Sequence, residues 1–188
     1  MCSNLKQDEV AIVLVPFPAQ GHLNQLLQLA CLISSSYDLP PLWDASMLLR
    51  ESISSFLRDI STKARCVVVV HDSLMSYNVL DVTSLHKAES YIFNCISVFT
   101  LYCFMSLSMG ISVQLDEELL KKLPSLEGIV TDKIKNLGAS HSPYMDIRSG
   151  DIHNTSKVIE GEFLDLLAQI ASKQEKKQWA IGPILPTN

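Results

Sequence analysis

Two side chains in this 188-residue chain have the type and setting for proton transfer: His22 and Asp72. His22 opens a helical pattern just after the strand-length apolar run Val10 to Val15. The positive end of the helix dipole disfavours an imidazolium there, so the ring stays neutral and can serve as a general base. Asp72 follows a second apolar run, Cys66 to Val70, inside the segment His71-Asp72-Ser73. A carboxylate at that place can hydrogen-bond the imidazole, fix its tautomer and stabilise the charge it gains on taking a proton. Such a pair lacks only a nucleophile, which would be a substrate hydroxyl. Each residue also has a plainer use, since a histidine at a helix start is often a polar cap or surface group and an Asp before Ser often caps the next helix.

The two residues can meet only if the elements carrying them form one sheet. Val10 to Val15 ends at Pro16 and reads as a central parallel strand, followed by the loop Phe17-Pro18-Ala19-Gln20-Gly21. Leu23, Leu26, Leu27, Ala30 and Ile33 then fall at helical spacing as far as Ser34. After the break at Ser34 to Pro41, a second helical pattern runs from Asp44 through Met47, Leu48, Ile53, Phe56, Leu57 and Ile60. A weaker helix is predicted over Leu74 to His86, a strand over Tyr91 to Ser97 and a helix over Phe99 to Met109. Asp116 to Gly150 reads as long loops holding one or two amphipathic helices. A strand at Ile152 to Val158, a helix with Phe163, Leu166, Leu167 and Ile170 as its stripe, a charged loop and a strand at Trp179 to Ile181 complete the chain.

Strands alternating with helices predict an α/β fold with a Rossmann-like, mainly parallel sheet and helices on both faces. Ligands of such sheets sit outside the carboxyl ends of the strands. The loops after Val15 and Val70 are the places to search, and the candidate acceptor-binding residues are Phe17, Gln20 and Gly21, Ser73, and Ser97 at the end of the third strand. His71 should face away from Asp72 by strand alternation, as core or crevice wall. His86, His141 and His153 lack ligand partners at metal spacing and read as solvated or locally bonded, so no metal site is expected. GxGxxG, GxxxxGK[ST], GxSxG and HExxH are all missing, leaving no self-contained phosphate, serine-hydrolase or zinc-protease site.

Composition narrows the class further. Fifteen basic against 20 acidic residues give a formal net charge of −5, which offers no excess to neutralise nucleic acid phosphates or an anionic membrane. Five cysteines, odd in number and without CxxC pairing, point to reduced core thiols and a cytoplasmic protein, and the first ten residues lack a secretory pattern. Ser90 to Leu115 carries no charge over a length that could cross a bilayer, but Asn94, Ser97, Thr100, Ser106, Ser108, Ser112 and Gln114 interrupt it. A buried strand and helix account better for those residues. The apolar share is 47% against 19% charged, more surface seeking burial than a small domain usually has.

Four blocks carry a family resemblance. Val15-Pro16-Phe17-Pro18-Ala19-Gln20-Gly21-His22-Leu23-Asn24-Gln25 resembles the N-terminal signature of plant family 1 UDP-glycosyltransferases. Together with Val70-His71-Asp72-Ser73-Leu74-Met75, the segment Asp151 to Gly161 and Trp179-Ala180-Ile181-Gly182-Pro183, it is similar to the zeatin O-glucosyltransferase branch. The resemblance implies the N-terminal, acceptor-binding half of a two-domain GT-B enzyme that transfers glucose or xylose to a small hydroxylated acceptor such as zeatin, with inversion. It implies a UDP-sugar co-substrate and no permanently bound cofactor. In the family, the residue at the position of His22 deprotonates the acceptor and the one at Asp72 supports it.

The same resemblance divides the chain into an acceptor domain over 1–181 and the start of a linker over 182–188, with the UDP-sugar domain absent and turnover accordingly negligible. A family segment of further strands is missing where Pro40 meets Pro41, which would leave the first strand uncovered and open to self-association. The alternative is a noncatalytic small-molecule binding or interaction module derived from the acceptor domain.

Overall fold

The computed structural model describes residues 9–16, 45–108, 139 and 141–184. Five parallel strands build one sheet in the order β1 (Val10–Val15), β2 (Cys66–Asp72), β3 (Ala88–Asn94), β4 (Gly150–His153) and β5 (Lys177–Ala180). Strand neighbours in space are thus neighbours in sequence. The helices are α1 (Arg50–Lys63), α2 (Val98–Ser108) and α3 (Lys157–Lys173), with 3-10 segments at Ser73–Ser84 and Ser142–Ile147.

Register fixes which side chains share a face. Ala11 aligns with Val67 and Ala88, Val13 with Val69 and Ser90, and Val15 with His71, Ile92 and Asp151. This face buries Ala11, Val15, Val67 and Val69 with Leu57 of α1 and with Met75, Val79 and Val82 of the longer 3-10 helix. A second cluster joins α2 to α3 through Val98, Tyr102, Leu164, Leu167 and Ile170. Asp72 caps the Ser73–Ser84 segment, accepting from the Leu74 amide at 2.9 Å. Ser76, Thr83 and Ser84 each donate to the carbonyl three residues back, an interaction that competes with regular α-helical geometry and suits the tighter winding seen there.

Several expectations shift. A fully apolar run reads as a central strand, yet among the described residues β1 lies at one end of the sheet, with Ile12 67% and Leu14 70% exposed. The second helix breaks at residues 48–49 and restarts at Arg50; Leu48 in the break is exposed, and within α1 Leu57 is buried while Phe56 beside it is exposed. β3 begins three residues before Tyr91 and ends at Asn94, ahead of the expected Ser97. β4 covers Gly150–His153 instead of Ile152 to Val158, because the chain turns at Asn154-Thr155 and α3 starts at Lys157, leaving Val158 and Ile159 exposed. Within α3, Glu160 departs from helical geometry and its carboxylate accepts from the Phe99 amide at 3.1 Å, capping α2 from a neighbouring helix. Among the described residues, no helix is long and apolar enough to cross a membrane.

Candidate functional site

The carboxyl ends of β2, β3 and β4 carry Asp72, Asn94 and His153, all buried. Asp72 reaches this edge because β2 runs two residues beyond Val70, paired with β3 through Asp72 opposite Phe93. One of its oxygens holds the Leu74 amide, so the plainer role as a helix cap is real. That role also orients the carboxylate at the mouth of the sheet. Ser73 is half-buried at the same turn, and its carbonyl contacts Nε2 of His141. Ser97 lies exposed beyond β3, where its hydroxyl accepts from the Thr100 amide at 3.1 Å and pairs with Thr100 Oγ1 at 2.8 Å, capping α2. Ser73 and Ser97 therefore stand on the carboxyl edge with Asp72, whereas His22, Phe17, Gln20 and Gly21 lie outside the described residues.

His71 points to the opposite face from Asp72, as alternation requires, and is completely buried. Its Nδ1 lies 2.9 Å from the Asp72 carbonyl, while Nε2 has no hydrogen-bond partner among the described residues. Burial pushes the imidazole down to a pKa of about 4, against the smaller opposing pull of the Asp72 carbonyl and the nearby carboxylates of Asp72 and Asp151. The ring is therefore neutral and belongs to the buried interior, the first of the two roles alternation allows it. Burial also lowers His141, partly offset by its contact with the Ser73 carbonyl.

Two histidines expected to be solvated or locally bonded are instead buried and bonded across long sequence separations. His141 reaches back to Ser73, and His153 links three strands. Nδ1 of His153 lies 3.5 Å from Asn94 Nδ2, and its Nε2 contacts Gln178 Oε1. Gln178 Nε2 donates to Asp151 Oδ2 at 2.7 Å, and Arg148 Nε donates to both Asp151 oxygens at 3.0 and 2.9 Å. A glutamine whose amide already donates to Asp151 presents its oxygen to His153. The His153 proton is then on Nε2, and Nδ1 accepts from Asn94. Strand alternation puts Asp151 and His153 on one face, but the partners on β3 and β5 are visible only once register is known. Exposed His86 is solvated as expected.

No group of three or more potential metal ligands occurs among the described residues. Cys66 and Cys103 are free and half-buried, whereas Cys95 is free but exposed rather than a core thiol.

The chain is 29% identical to a zeatin O-glucosyltransferase of Phaseolus lunatus over 229 aligned residues, which cover 96% of this chain and 49% of that one. It is 27% identical to a zeatin O-xylosyltransferase of Phaseolus vulgaris, covering 96% and 50%. Among solved structures, Phytolacca americana UGT2 complexed with UDP-2fluoro-glucose and pterostilbene superposes with a TM-score of 0.66 at 14% identity, over 96% of this chain and 55% of that one. Medicago truncatula UGT71G1 with UDP-glucose gives 0.56 at 17%, over 98% and 54%. The fold is thus that of half a GT-B glycosyltransferase, and the chain spans about half the length of the relatives it matches. The family described as "Glycosyltransferase, N-terminal domain" matches residues 8–40 and 36–186, nearly the whole sequence, and the chain belongs to that family.

Proposed function

We propose that this chain is the acceptor-binding half of a UDP-sugar-dependent O-glycosyltransferase acting on a small hydroxylated acceptor of the cytokinin type. The observation that carries the reading is Asp72 at the carboxyl end of β2, the edge at which an α/β sheet takes its ligand, in a chain similar over 96% of its length to zeatin O-glycosyltransferases. His22 is the general base that takes the acceptor proton as the oxygen attacks the sugar anomeric carbon. Asp72 holds the imidazole and stabilises its charge. Phe17, Gln20, Gly21, Ser73 and Ser97 line the acceptor site. The UDP-sugar is a second substrate, held by residues outside these 188. Free thiols at Cys66, Cys95 and Cys103 support a reducing, cytoplasmic setting.

Rate in such a transfer comes largely from holding acceptor and activated sugar together, so the acceptor half by itself binds without turning over. Calorimetry of the 188-residue polypeptide with trans-zeatin should show saturable binding. Incubation with trans-zeatin and UDP-glucose should release no UDP. Absence of binding by a folded chain overturns the acceptor reading, and UDP release lost in His22→Ala would show that these residues suffice for catalysis. Binding without release equally describes a noncatalytic binding module. The two diverge when a UDP-sugar domain from a relative is joined after residue 188: turnover that Asp72→Ala abolishes supports the enzyme.

A further inference from the structure

We propose that the free edge of β1 is a self-association surface, and that its partner is β1 of a second copy, paired antiparallel about a two-fold axis into a continuous ten-stranded sheet. Among the described residues, β1 is hydrogen-bonded on one side only. An open strand edge is a row of backbone donors and acceptors, so the surface it fits is another extended strand.

Which strand follows from the register. The Glu9 carbonyl turns towards β2 and accepts from the Arg65 amide at 2.9 Å. Alternation then turns the backbone of Ala11, Val13 and Val15 to β2 and that of Val10, Ile12 and Leu14 outward. A two-fold axis normal to the sheet keeps each side chain on its own face. With the axis at Ile12, Val10 lies opposite Leu14 of the other copy and Ile12 opposite Ile12. All three outward residues then form hydrogen-bonded pairs. Moving the axis to Val13 would set Pro16, which has no amide proton, against Val10 and lose a bond.

Side chains agree with that pairing. Val10, Ile12 and Leu14 are 46, 67 and 70% exposed on one face, and each copy supplies the cross-strand apolar neighbours the other lacks. On the other face Ala11 meets Val13, extending the buried cluster that contains them across the junction. Glu9 falls opposite Val15, so like charges do not oppose one another. β1 carries none of the devices that protect edges, having neither a charge nor a proline between Val10 and Val15, whereas the far edge strand β5 begins with Lys177. The 229-residue alignment to relatives exceeds the length of this chain, and the family match breaks at residues 36–40, between β1 and α1. The relatives therefore carry residues that this chain lacks, and the edge left open here is that of the strand just before the break.

The test is sedimentation velocity of the 188-residue polypeptide from micromolar to hundreds of micromolar, alongside Ile12→Lys and Ile12→Cys. The wild type should pass from monomer to dimer and stop there. Ile12→Lys places an edge lysine at an exposed position and should weaken dimerisation roughly tenfold or more with an unchanged circular dichroism spectrum. Oxidised Ile12→Cys should give a 12-to-12 crosslinked peptide by mass spectrometry, since paired strands bring those Cα atoms within disulfide reach. A monomer throughout the range overturns the proposal. So do open-ended growth beyond the dimer, a dimer indifferent to Ile12→Lys, and crosslinks that map elsewhere. Should Ile12→Lys unfold, the crosslink site decides. None of these readouts depends on acceptor binding, so this surface and the transferase reading stand or fall separately.

Discussion

His71 shows how a single buried side chain couples this fold to pH. Its proton is lost near 6.5 in the unfolded chain and at about 4 in the folded one. The unfolded state therefore binds the proton more tightly, and folding stability is at its full value above 6.5. It declines as pH falls from 6.5 towards 4, then levels off once both states are protonated, a total loss of about 3 kcal/mol. Urea unfolding at pH 7 and at pH 4.5 should show this loss. His71→Leu should keep most of the stability at pH 7 and flatten that part of the dependence belonging to residue 71, while the lowered His141 still contributes in the same direction. An unchanged pH profile in His71→Leu would show that the ring does not titrate with folding. Asp72, one residue on, faces the other way, so one dipeptide supplies both a core residue and the carboxylate that caps the next helix, the one proposed above to support His22.

At the scale of elements, the weak pairing to watch is β4 with β5, two four-residue strands joined by the Asp151–Gln178 and His153–Gln178 contacts. Gly150 sits where they come closest. A Cβ there would lie 2.6 Å from the Lys177 carbonyl oxygen and 2.7 Å from the Trp179 ring. Backbone cannot yield as a flexible side chain can, so Gly150→Ala should cost about 2 kcal/mol by urea denaturation and shift the Trp179 fluorescence. Gly161→Ala is the contrast. Its Cβ would meet nothing nearer than Lys157 Cβ at 3.9 Å, and an alanine in α3 should be neutral or gain up to about 1 kcal/mol. Equal destabilisation by both would show that close approach is not what selects glycine at 150. These elements differ in how well local sequence announces them. The apolar runs of β1 and β2 stand out because each is an unbroken run of strand-forming residues with an end marked in the sequence, Pro16 after β1 and His71-Asp72-Ser73 at the end of β2. β4 does not, since its buried residues are a glycine, Gly150, and two polar side chains, Asp151 and His153, whose partners come from Asn94, Arg148 and Gln178.

For the whole molecule, the excess of apolar over charged residues acquires a location. Val10, Ile12 and Leu14 are exposed at one sheet edge, and Ile96, Val158, Ile159, Ile181 and Ile184 follow the carboxyl ends of β3, β4 and β5. With a formal net charge of −5 and a sequence pI near 5.5, charge repulsion at neutral pH opposes growth of such contacts into larger aggregates. Light scattering should therefore rise as pH is lowered from 7.5 to 5.5, and added salt at pH 7.5 should move it in the same direction by screening. A solution that stays equally dispersed at 5.5 would count against apolar self-association. His71→Leu, which alters pH-dependent unfolding but not net charge at neutrality, separates this effect from loss of the fold.

Sequence alone determined the α/β class, the strands at Val10 and Cys66, the place of Asp72 at a strand's carboxyl end and the family, because periodicity and motif are properties of neighbouring residues. Only the tertiary structure decided that β1 is the end strand among the described residues, that Asp72 also caps a helix, and that His141 and His153 are buried partners of Ser73, Asn94 and Gln178. Those facts depend on register between strands far apart in the chain, and a hydrogen bond across 25 or 68 residues leaves no spacing to read.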